Sequence, residues 1–235
     1  MSEPTIYKPG AYNTPGVYKG AGGIYNGRGV YNDSPNGIKI INSTAQILGR
    51  TYTTVKYINS GYNDCEWTTL NLDYKDENIS LGGSLFYDEV PRAYYYNNDE
   101  NTYGWNGLKY GLLYNIGALL YIETLLSNGW NVPGNNDYQN LLDICGQDFS
   151  QKLKKDSGWS NPGTNEFKWN ALPSGIAIPG TGFSGVNIKG QFYSKTKTDE
   201  YYGILGINNN DSLSDLYVAG GSGYNSASCR LVRYL

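Results

Sequence analysis

Two segments of the chain carry apolar residues at helical spacing. Residues 108–128 form the clearer pattern, and Ser127-Asn128-Gly129 is a typical helix stop. A second helix is predicted to start within residues 133–137, with Asn135 or Asn136 as the side-chain cap, and to end at Gly146. The sequence therefore predicts two short helices near the middle of the chain.

The rest of the pattern favours strands and loops. Residues 51–58 are β-branched and aromatic with partial alternation, which predicts a strand, and residues 66–72 predict another. Residues 73–101 are rich in Asn and Asp and are predicted to be mostly loop, with a short strand at 84–87. Residues 152–235 predict short strands joined by Gly, Asn and Ser turns. Together these elements indicate an α+β domain.

The first 45 residues have a different pattern. Gly and Pro punctuate them, which disfavours a helix, and they hold too few aliphatic residues for a core. Tyrosines recur every five to seven residues: Tyr7, Tyr12, Tyr18, Tyr25 and Tyr31. We interpret residues 1–45 as an extended assembly arm whose tyrosines dock on another protein or on copies of this chain, and residues 46–235 as the domain. A disordered Gly-rich tail is the alternative.

Composition and charge exclude several classes of function. The 235 residues include 31 Gly and 24 Tyr but no His, and the net charge is −3. Without His, the chain cannot use Ser-His-Asp or Cys-His catalysis or a His-based zinc site. Weak acidity argues against nucleic-acid binding, which favours a basic surface. The longest apolar run, residues 116–122, is too short to cross a membrane.

The cysteines and the start of the chain bear on the cellular compartment. Cys65, Cys145 and Cys229 lie far apart and are odd in number, so we expect free, partly buried thiols rather than a disulfide framework. The first residues show neither a basic nor an apolar signal segment. We therefore expect the protein to be made and kept in the cytoplasm, unless it leaves inside a particle or by lysis.

Several segments, in order, resemble the family called the Fibrobacter succinogenes major paralogous domain. The matching segments are Glu66-Trp-Thr-Thr-Leu-Asn-Leu-Asp-Tyr74, Tyr110-Gly-Leu-Leu-Tyr-Asn-Ile116, Gly129-Trp-Asn-Val-Pro133, Asp137-Tyr-Gln-Asn-Leu-Leu-Asp143, Gly158-Trp-Ser160, Asn170-Ala-Leu-Pro-Ser-Gly175, Gly190-Gln-Phe192 and Ser228-Cys-Arg-Leu-Val-Arg233. The chain departs from the family pattern at Asn131, where His is usual, at Ile116, where Trp is usual, and around residues 200–203, where a Trp-Trp-Ser-Ser segment is usual.

The resemblance implies a C-type-lectin-like fold, with two short helices, small antiparallel sheets and long loops. Such domains serve as display scaffolds in bacterial surface proteins and in phage fibres and adhesins. The chain lacks the motifs of calcium-dependent sugar binding. The segment most similar to their Trp-Asn-Asp motif is Trp105-Asn106-Gly107, which lacks the acidic residue. Residues 208–211 with Asp215 offer an oxygen-rich set for calcium, with an ordinary polar loop as the alternative.

The candidate binding surface is the segment 196–225, which the resemblance places on one face in display loops. Tyr, Asn, Ser and Gly are the residues of adaptable recognition surfaces. The alternative is a generic polar loop. The candidate binding residues are Tyr201, Tyr202, Asn208, Asn209, Asn210, Asp211, Tyr217 and Tyr224.

These observations favour a non-enzymatic bacteriophage virion protein, a head or tail fibre or decoration protein that displays a lectin-like domain for host-surface adhesion. The expected partners are other virion proteins, bound through the arm, and a host-surface glycan or protein. A homotrimer is expected by analogy with fibres, and no cofactor, metal, nucleic acid or membrane insertion is expected. A bacterial cell-surface or secreted adhesin is the alternative. An enzyme is a third hypothesis, which would require carboxylates such as Asp88-Glu89 or Asp199-Glu200 to meet in a cleft.

Overall fold

The computed structural model describes residues 18–20, 23–25, 32–33, 37–58, 62–86, 88–198, 201–211, 214–218 and 225–235. Its strands are β1 (Tyr18–Gly20), β2 (Gly23–Tyr25), β3 (Asn32–Asp33), β4 (Lys39–Ile47), β5 (Arg50–Ile58), β6 (Cys65–Thr68), β7 (Ser80–Leu81), β8 (Arg92–Tyr94), β9 (Leu113–Tyr114), β10 (Ser174–Ile178), β11 (Gly182–Val186), β12 (Lys189–Thr198), β13 (Tyr201–Asn208), β14 (Asp215–Val218) and β15 (Val232–Tyr234). Its helices are α1 (Glu100–Tyr103), α2 (Ile116–Leu125), α3 (Asn135–Cys145) and α4 (Phe149–Leu153), with a 3₁₀ turn at Tyr96–Asn98.

The first sheet has the order β15-β6-β5-β4-β3 and is antiparallel throughout. Its longest part is the β4–β5 hairpin, which is paired along all nine residues of each strand. Leu48 and Gly49 form the tip at positive φ, a conformation that matches the twist of the flanking strands. The strand predicted over residues 51–58 is confirmed. The boundary predicted between residues 45 and 46 falls inside β4.

The second sheet has the order β11-β10-β12-β13-β14. It is mixed, because β10 runs parallel to β12 while the other neighbours are antiparallel. β13 is paired on both sides, and its residues 202–207 are all buried. A smaller sheet has the order β7-β8-β9, with strands at 80–81 and 92–94, and residues 84–86, the described part of the strand predicted at 84–87, are not in a strand. β1 and β2 pair with each other.

Two hydrophobic clusters join the sheets to the helices. Helix α3 packs Tyr138 and Leu141 into the cluster that also holds Trp67 of the first sheet and Leu205 of the second. Helix α2 packs into the other cluster, together with residues from both sheets. The helices therefore bridge the two sheets, and the protein is an α+β fold with small antiparallel and mixed sheets and few helices.

Both predicted helices are present, and α3 begins at Asn135, within the predicted 133–137, whereas the start of α2 is revised. Helix α2 begins at Ile116 rather than residue 108, because β9 pairs with β8 and the Asn115 side chain caps the helix by accepting from the Ala118 N–H at 3.0 Å. Helix α3 ends at Gly146 as predicted. The start of α3 is capped by other groups than the predicted Asn135 or Asn136. Within the described residues, no helix is long and apolar enough to cross a membrane.

The cap of α3 comes from two side chains that lie after the predicted cap residues. The Asp137 carboxylate reaches back and accepts from the Gly134 N–H at 2.6 Å. The Thr196 hydroxyl, on β12, accepts from the Asn135 N–H at 2.9 Å. The second sheet thus completes the helix terminus, which the local sequence alone does not reveal.

Candidate functional site

The structure places part of the predicted display segment in β13, an interior strand of the second sheet. Residues 201–208 form β13, so the loop expected there is wrong. The Tyr202 side chain is only 8% exposed and packs in the α2 cluster, whereas Tyr201 at the strand end is 36% exposed. Flanking strands on both sides leave this segment no freedom to act as a loop.

The polar residues after β13 are bound within the fold. The Asp211 carboxylate accepts from the Ser150 hydroxyl at 2.7 Å and from the Gln151 amide at 2.5 Å, and it lies 2.8 Å from the Nζ atom of Lys154. Burial alone would raise the pKa of Asp211, but these three donors outweigh it and hold the pKa below its usual value. Asp211 therefore serves as the counterion of Lys154, whose side chain is fully buried.

The neighbouring asparagines are also engaged. The Asn209 side-chain oxygen accepts from the Asn161 N–H at 3.2 Å, and the Asn208 N–H donates to Ser214 at 2.8 Å. Asn210 is exposed. Among the described residues, no group of three or more Cys, Asp or Glu side chains is placed to hold a metal ion. Binding by residues 208–211 stays a prediction, but their hydrogen bonds give them a structural role.

Several predicted residues lie at or beyond the limits of the described chain. Tyr7, Tyr12, Tyr31 and Tyr224 lie outside the described residues. Tyr18 and Tyr25 face each other across the β1–β2 pair, and Tyr217 pairs with Ile204 across β13 and β14. The side chains of these three tyrosines also lie outside the described residues, so docking through the arm stays a prediction.

The three cysteines are free and buried, as expected. Burial raises the pKa of the Cys65 thiol to about 12 and raises the pKa of Cys145 and of Cys229 as well. Because the thiolate is the nucleophile and the metal ligand, these thiols are unreactive in the folded protein.

A different cluster of polar and aromatic side chains surrounds the end of the β4–β5 hairpin. It draws on the start of β5, the loop after β6, β8 with the turn that follows it, and α1. We call it the hairpin-tip surface, and its members are Arg50, Asp73, Lys75, Tyr95, Glu100 and Trp105.

Two buried groups organise the hairpin-tip surface. The Tyr95 hydroxyl donates to the Asp73 carboxylate at 2.9 Å and lies 3.2 Å from a Glu100 oxygen. Asp73 is 1% exposed at its side chain and pairs with Arg50 at 3.1 Å. Burial, followed by the negative charge of Asp73, raises the pKa of Tyr95 far above its usual value. Tyr95 therefore remains protonated and acts as a fixed donor between the two acids.

The outer part of the surface is exposed to solvent. Lys75 donates to both Glu100 oxygens at 2.9 and 3.1 Å, and its hydrogen bond lowers the pKa of Glu100. Trp105 is partly exposed, with the Arg50 guanidinium 5.2 Å from its ring centroid and the buried Tyr52 ring edge-on at 5.7 Å. The result is an aromatic ring held against Arg50 of one ion pair, with a second ion pair linked to the first through Tyr95.

The surface continues along the loop after Asp73. Tyr74 and Tyr121 both donate to one Asp76 oxygen, at 2.9 and 2.8 Å, and the Asn78 amide donates to the Tyr121 hydroxyl at 2.8 Å. Burial alone would raise the pKa of Asp76, but the tyrosine and backbone donors outweigh it and lower the pKa. Asp76 and two tyrosines thus form a hydrogen-bonded group just after Asp73 in the chain.

Compared with protein-family models, curated proteins and solved structures, the chain matches none of them. The functional argument therefore rests on the geometry of this surface.

The sequence analysis missed the hairpin-tip surface for a physical reason. Its residues come from positions 50, 73–75, 95–100 and 105, and only the fold brings them together. A local signal did exist in Asp73-Tyr-Lys-Asp-Glu-Asn78, where acids and a tyrosine directly follow the predicted strand 66–72, of which only residues 66–68 belong to the observed β6. The aromatic member, Trp105, was noted only as an incomplete lectin motif.

Proposed function

We propose that this chain is a non-enzymatic recognition protein that binds a host-surface glycan through the hairpin-tip surface. The observation that carries the proposal is the partly exposed Trp105 ring against Arg50, whose partner Asp73 is linked through Tyr95 to the Lys75–Glu100 ion pair. An aromatic anchor with a few well-placed polar groups is the usual composition of a specific binding site.

The chemistry of the surface suits a sugar ring. A pyranose has an apolar C–H face that packs on an indole and a rim of hydroxyls that both donate and accept hydrogen bonds. Arg50 and Lys75 supply donors, and Glu100 supplies acceptors. Two positive and two negative side chains leave no net charge, which favours a neutral glycan over an anionic one.

Preorganisation strengthens the proposal. Asp73 and Tyr95 are buried and hold Arg50 and Glu100 before any ligand arrives. Binding then orders few side chains, which reduces the entropic cost of association. Weak individual sites of this kind gain strength when several copies act together.

The placement of this domain in a phage virion rests on the sequence. The segments that resemble the paralogous-domain family support a C-type-lectin-like version of the observed α+β fold. The two bridging helices α2 and α3, and the C-terminal strand β15 paired with β6 in the sheet that holds the β4–β5 hairpin, are compatible with that version. The tyrosine-rich arm would then join the domain to other virion proteins, with a trimer as the expected assembly.

The test is glycan binding by the full chain and by Trp105→Ala. The probe is an array of bacterial surface polysaccharides, in which neutral O-antigens and capsular polysaccharides are the expected ligands and anionic teichoic acids are the comparison, with positive hits measured by calorimetry. Loss of a central aromatic anchor costs about 2 kcal/mol, so we expect affinity to fall about 30-fold.

The matched control is Tyr62→Ala, which removes an aromatic side chain that is 41% exposed near the opposite end of β5. We expect this variant to bind like the wild type. The proposal fails if the wild type binds no polysaccharide on the array, or if Trp105→Ala and Tyr62→Ala bind as tightly as the wild type.

A further inference from the structure

Leu48, in the turn of the β4–β5 hairpin, has a backbone conformation that leucine rarely adopts. Its φ is 49°, in the left-handed region, where the Cβ atom comes close to the following carbonyl oxygen. Among the described residues other than glycine, positive φ occurs at ten positions, and seven of them are Asn or Asp. Leu48 is the apolar member of this set. A two-residue turn of this kind favours Asn-Gly or Gly-Gly, so the local rules of turns do not explain the leucine.

The side chain of Leu48 lies on the same face of the hairpin as Trp105. Leu48 is half-buried and packs against the α2 cluster, and Trp105 packs against the same cluster. Arg50, which follows Leu48 after one glycine, lies on that face too, because alternate residues of a strand share a face and Tyr52 belongs to the cluster. The Arg50 guanidinium lies 5.2 Å from the Trp105 ring centroid. The turn therefore places an aliphatic side chain at the margin of the hairpin-tip surface.

We propose that Leu48 is a specificity residue of the hairpin-tip surface and favours glycans in which a sugar carries a methyl group. The methyl belongs either to a deoxyhexose or to an N-acetyl group. This inference rests on the proposed function and names the class of glycan. Residues held in rare backbone conformations cluster at ligand sites, where the side chain serves the site at a cost in backbone energy. Asn or Gly would form the turn without that cost but would leave no apolar contact there.

The chemistry of the surface divides between the hydroxyls of a sugar and its methyl group. Arg50, Lys75 and Glu100 offer hydrogen bonds to hydroxyls, and Trp105 offers a flat apolar ring. Leu48 offers no hydrogen bond. A methyl group gains free energy when it leaves water for such a contact, whereas a hydroxymethyl group loses its bonds to water and finds no replacement. Contact with Leu48 thus favours one sugar and disfavours the other.

The experiment measures how well matched free sugars inhibit binding of the full chain to the polysaccharides that it recognises on the array. The pairs are L-rhamnose with L-mannose, L-fucose with L-galactose, and N-acetylglucosamine with N-formylglucosamine. The members of each pair differ in a methyl group, so the first two pairs and the third distinguish a deoxyhexose from an N-acetyl sugar. We expect the methyl-bearing member of one pair to inhibit about fivefold better, as burial of one methyl group predicts.

Leu48→Asn should remove this preference by weakening only the methyl-bearing sugar. Asn tolerates positive φ, so relief of backbone strain should offset the lost packing and leave the urea midpoint nearly unchanged. Leu48→Met keeps an apolar side chain and should keep the preference. The matched control is Lys168→Asn, which replaces another residue of positive φ, in the loop between α4 and β10, and should keep the preference as well.

Each remaining outcome counts against the inference. A wild type that binds polysaccharide but prefers the methyl-bearing sugar in none of the pairs overturns it and leaves the proposed function standing. Retention of the preference in Leu48→Asn overturns it too, because the methyl is then recognised elsewhere. Equal weakening of both members of a pair in Leu48→Asn assigns Leu48 a structural role only. A wild type that binds no polysaccharide overturns the proposed function and this inference together.

Discussion

The sharpest stability prediction concerns Arg230, which is fully buried. Its Nε atom donates to the Asn71 side-chain oxygen at 2.6 Å. Its two Nη atoms donate to the carbonyl oxygens of Thr68 at 3.0 Å, Trp169 at 2.9 Å and Asn170 at 2.7 Å. This one side chain therefore ties the C-terminal segment to the loops after β6 and before β10. The perturbation is Arg230→Met, which keeps an unbranched, flexible apolar stem and removes every donor.

Two opposing energies decide the outcome. Burial lowers the pKa of Arg230 to about 9, so the group is charged at neutral pH and its desolvation costs several kcal/mol. Methionine removes that desolvation cost but leaves the four acceptor oxygens without their donor. Each unsatisfied buried acceptor lowers the free energy of unfolding by roughly 2 kcal/mol. The lost hydrogen bonds are the larger quantity. We expect Arg230→Met to lower the free energy of unfolding by about 3 kcal/mol.

The assay is urea denaturation followed by tryptophan fluorescence and circular dichroism. Arg230→Lys keeps a charge with at most three donors, and we expect its stability to fall between wild type and Arg230→Met. The matched control is Arg92→Met, because Arg92 forms a partly exposed pair with Asp88 and its loss should cost less than about 1 kcal/mol. If Arg230→Met is as stable as the Arg92 control, desolvation outweighs the hydrogen bonds and the reasoning is refuted.

Two further substitutions test other contacts by the same denaturation assay. Gly117→Ala, in the first turn of α2, should lower the free energy of unfolding by about 2 kcal/mol, although Ala has the better helix propensity. The reason is that the new Cβ overlaps the carbonyl oxygen of Glu89 and lies 2.7 Å from its carbonyl carbon. Exposed Thr124→Ala in the same helix is the control, and equal stability of both variants would contradict the clash. Asp211→Asn leaves buried Lys154 without its carboxylate partner. We expect this change to lower the free energy of unfolding by about 3 kcal/mol at pH 7. The pKa of Asp211 is lowered in the folded state, so its stabilisation is present above the unfolded pKa and is lost as the pH falls through the folded pKa. The free energies of unfolding of wild type and Asp211→Asn should therefore converge as the pH is lowered. A difference that stays constant to the lowest pH at which the protein folds would count against Asp211 as the counterion of Lys154.

The sequence by itself determined the elements whose pattern is local. The strand at 51–58, the helix that ends at Gly146 and the α+β class all follow from side-chain periodicity and a stop residue. Periodicity is a property of neighbouring residues, because side chains three or four apart share a helix face and alternate residues share a strand face. These elements needed no knowledge of the rest of the chain.

Only the tertiary structure decided the start of α2 and the fate of the predicted display segment. The apolar residues before Ile116 fit a helix, yet β8 pairs with Leu113 and Tyr114. Residues 201–208 have the composition of a recognition loop, yet β12 and β14 flank them and bury Tyr202. Backbone pairing with distant strands overrides local propensity, and composition does not reveal which partner is available.

The hairpin-tip surface depends on the fold in the same way. Arg50 and Asp73 are 23 residues apart, Lys75 and Glu100 are 25 apart, and each pair meets because the loop after β6 and helix α1 both lie beside the hairpin tip. Charge pairs of this kind have no signature along the chain, since an ion pair needs proximity in space and not a fixed spacing. The sequence determined which chemical groups the protein has, and the packing of two sheets around two helices decided which of them meet at the surface.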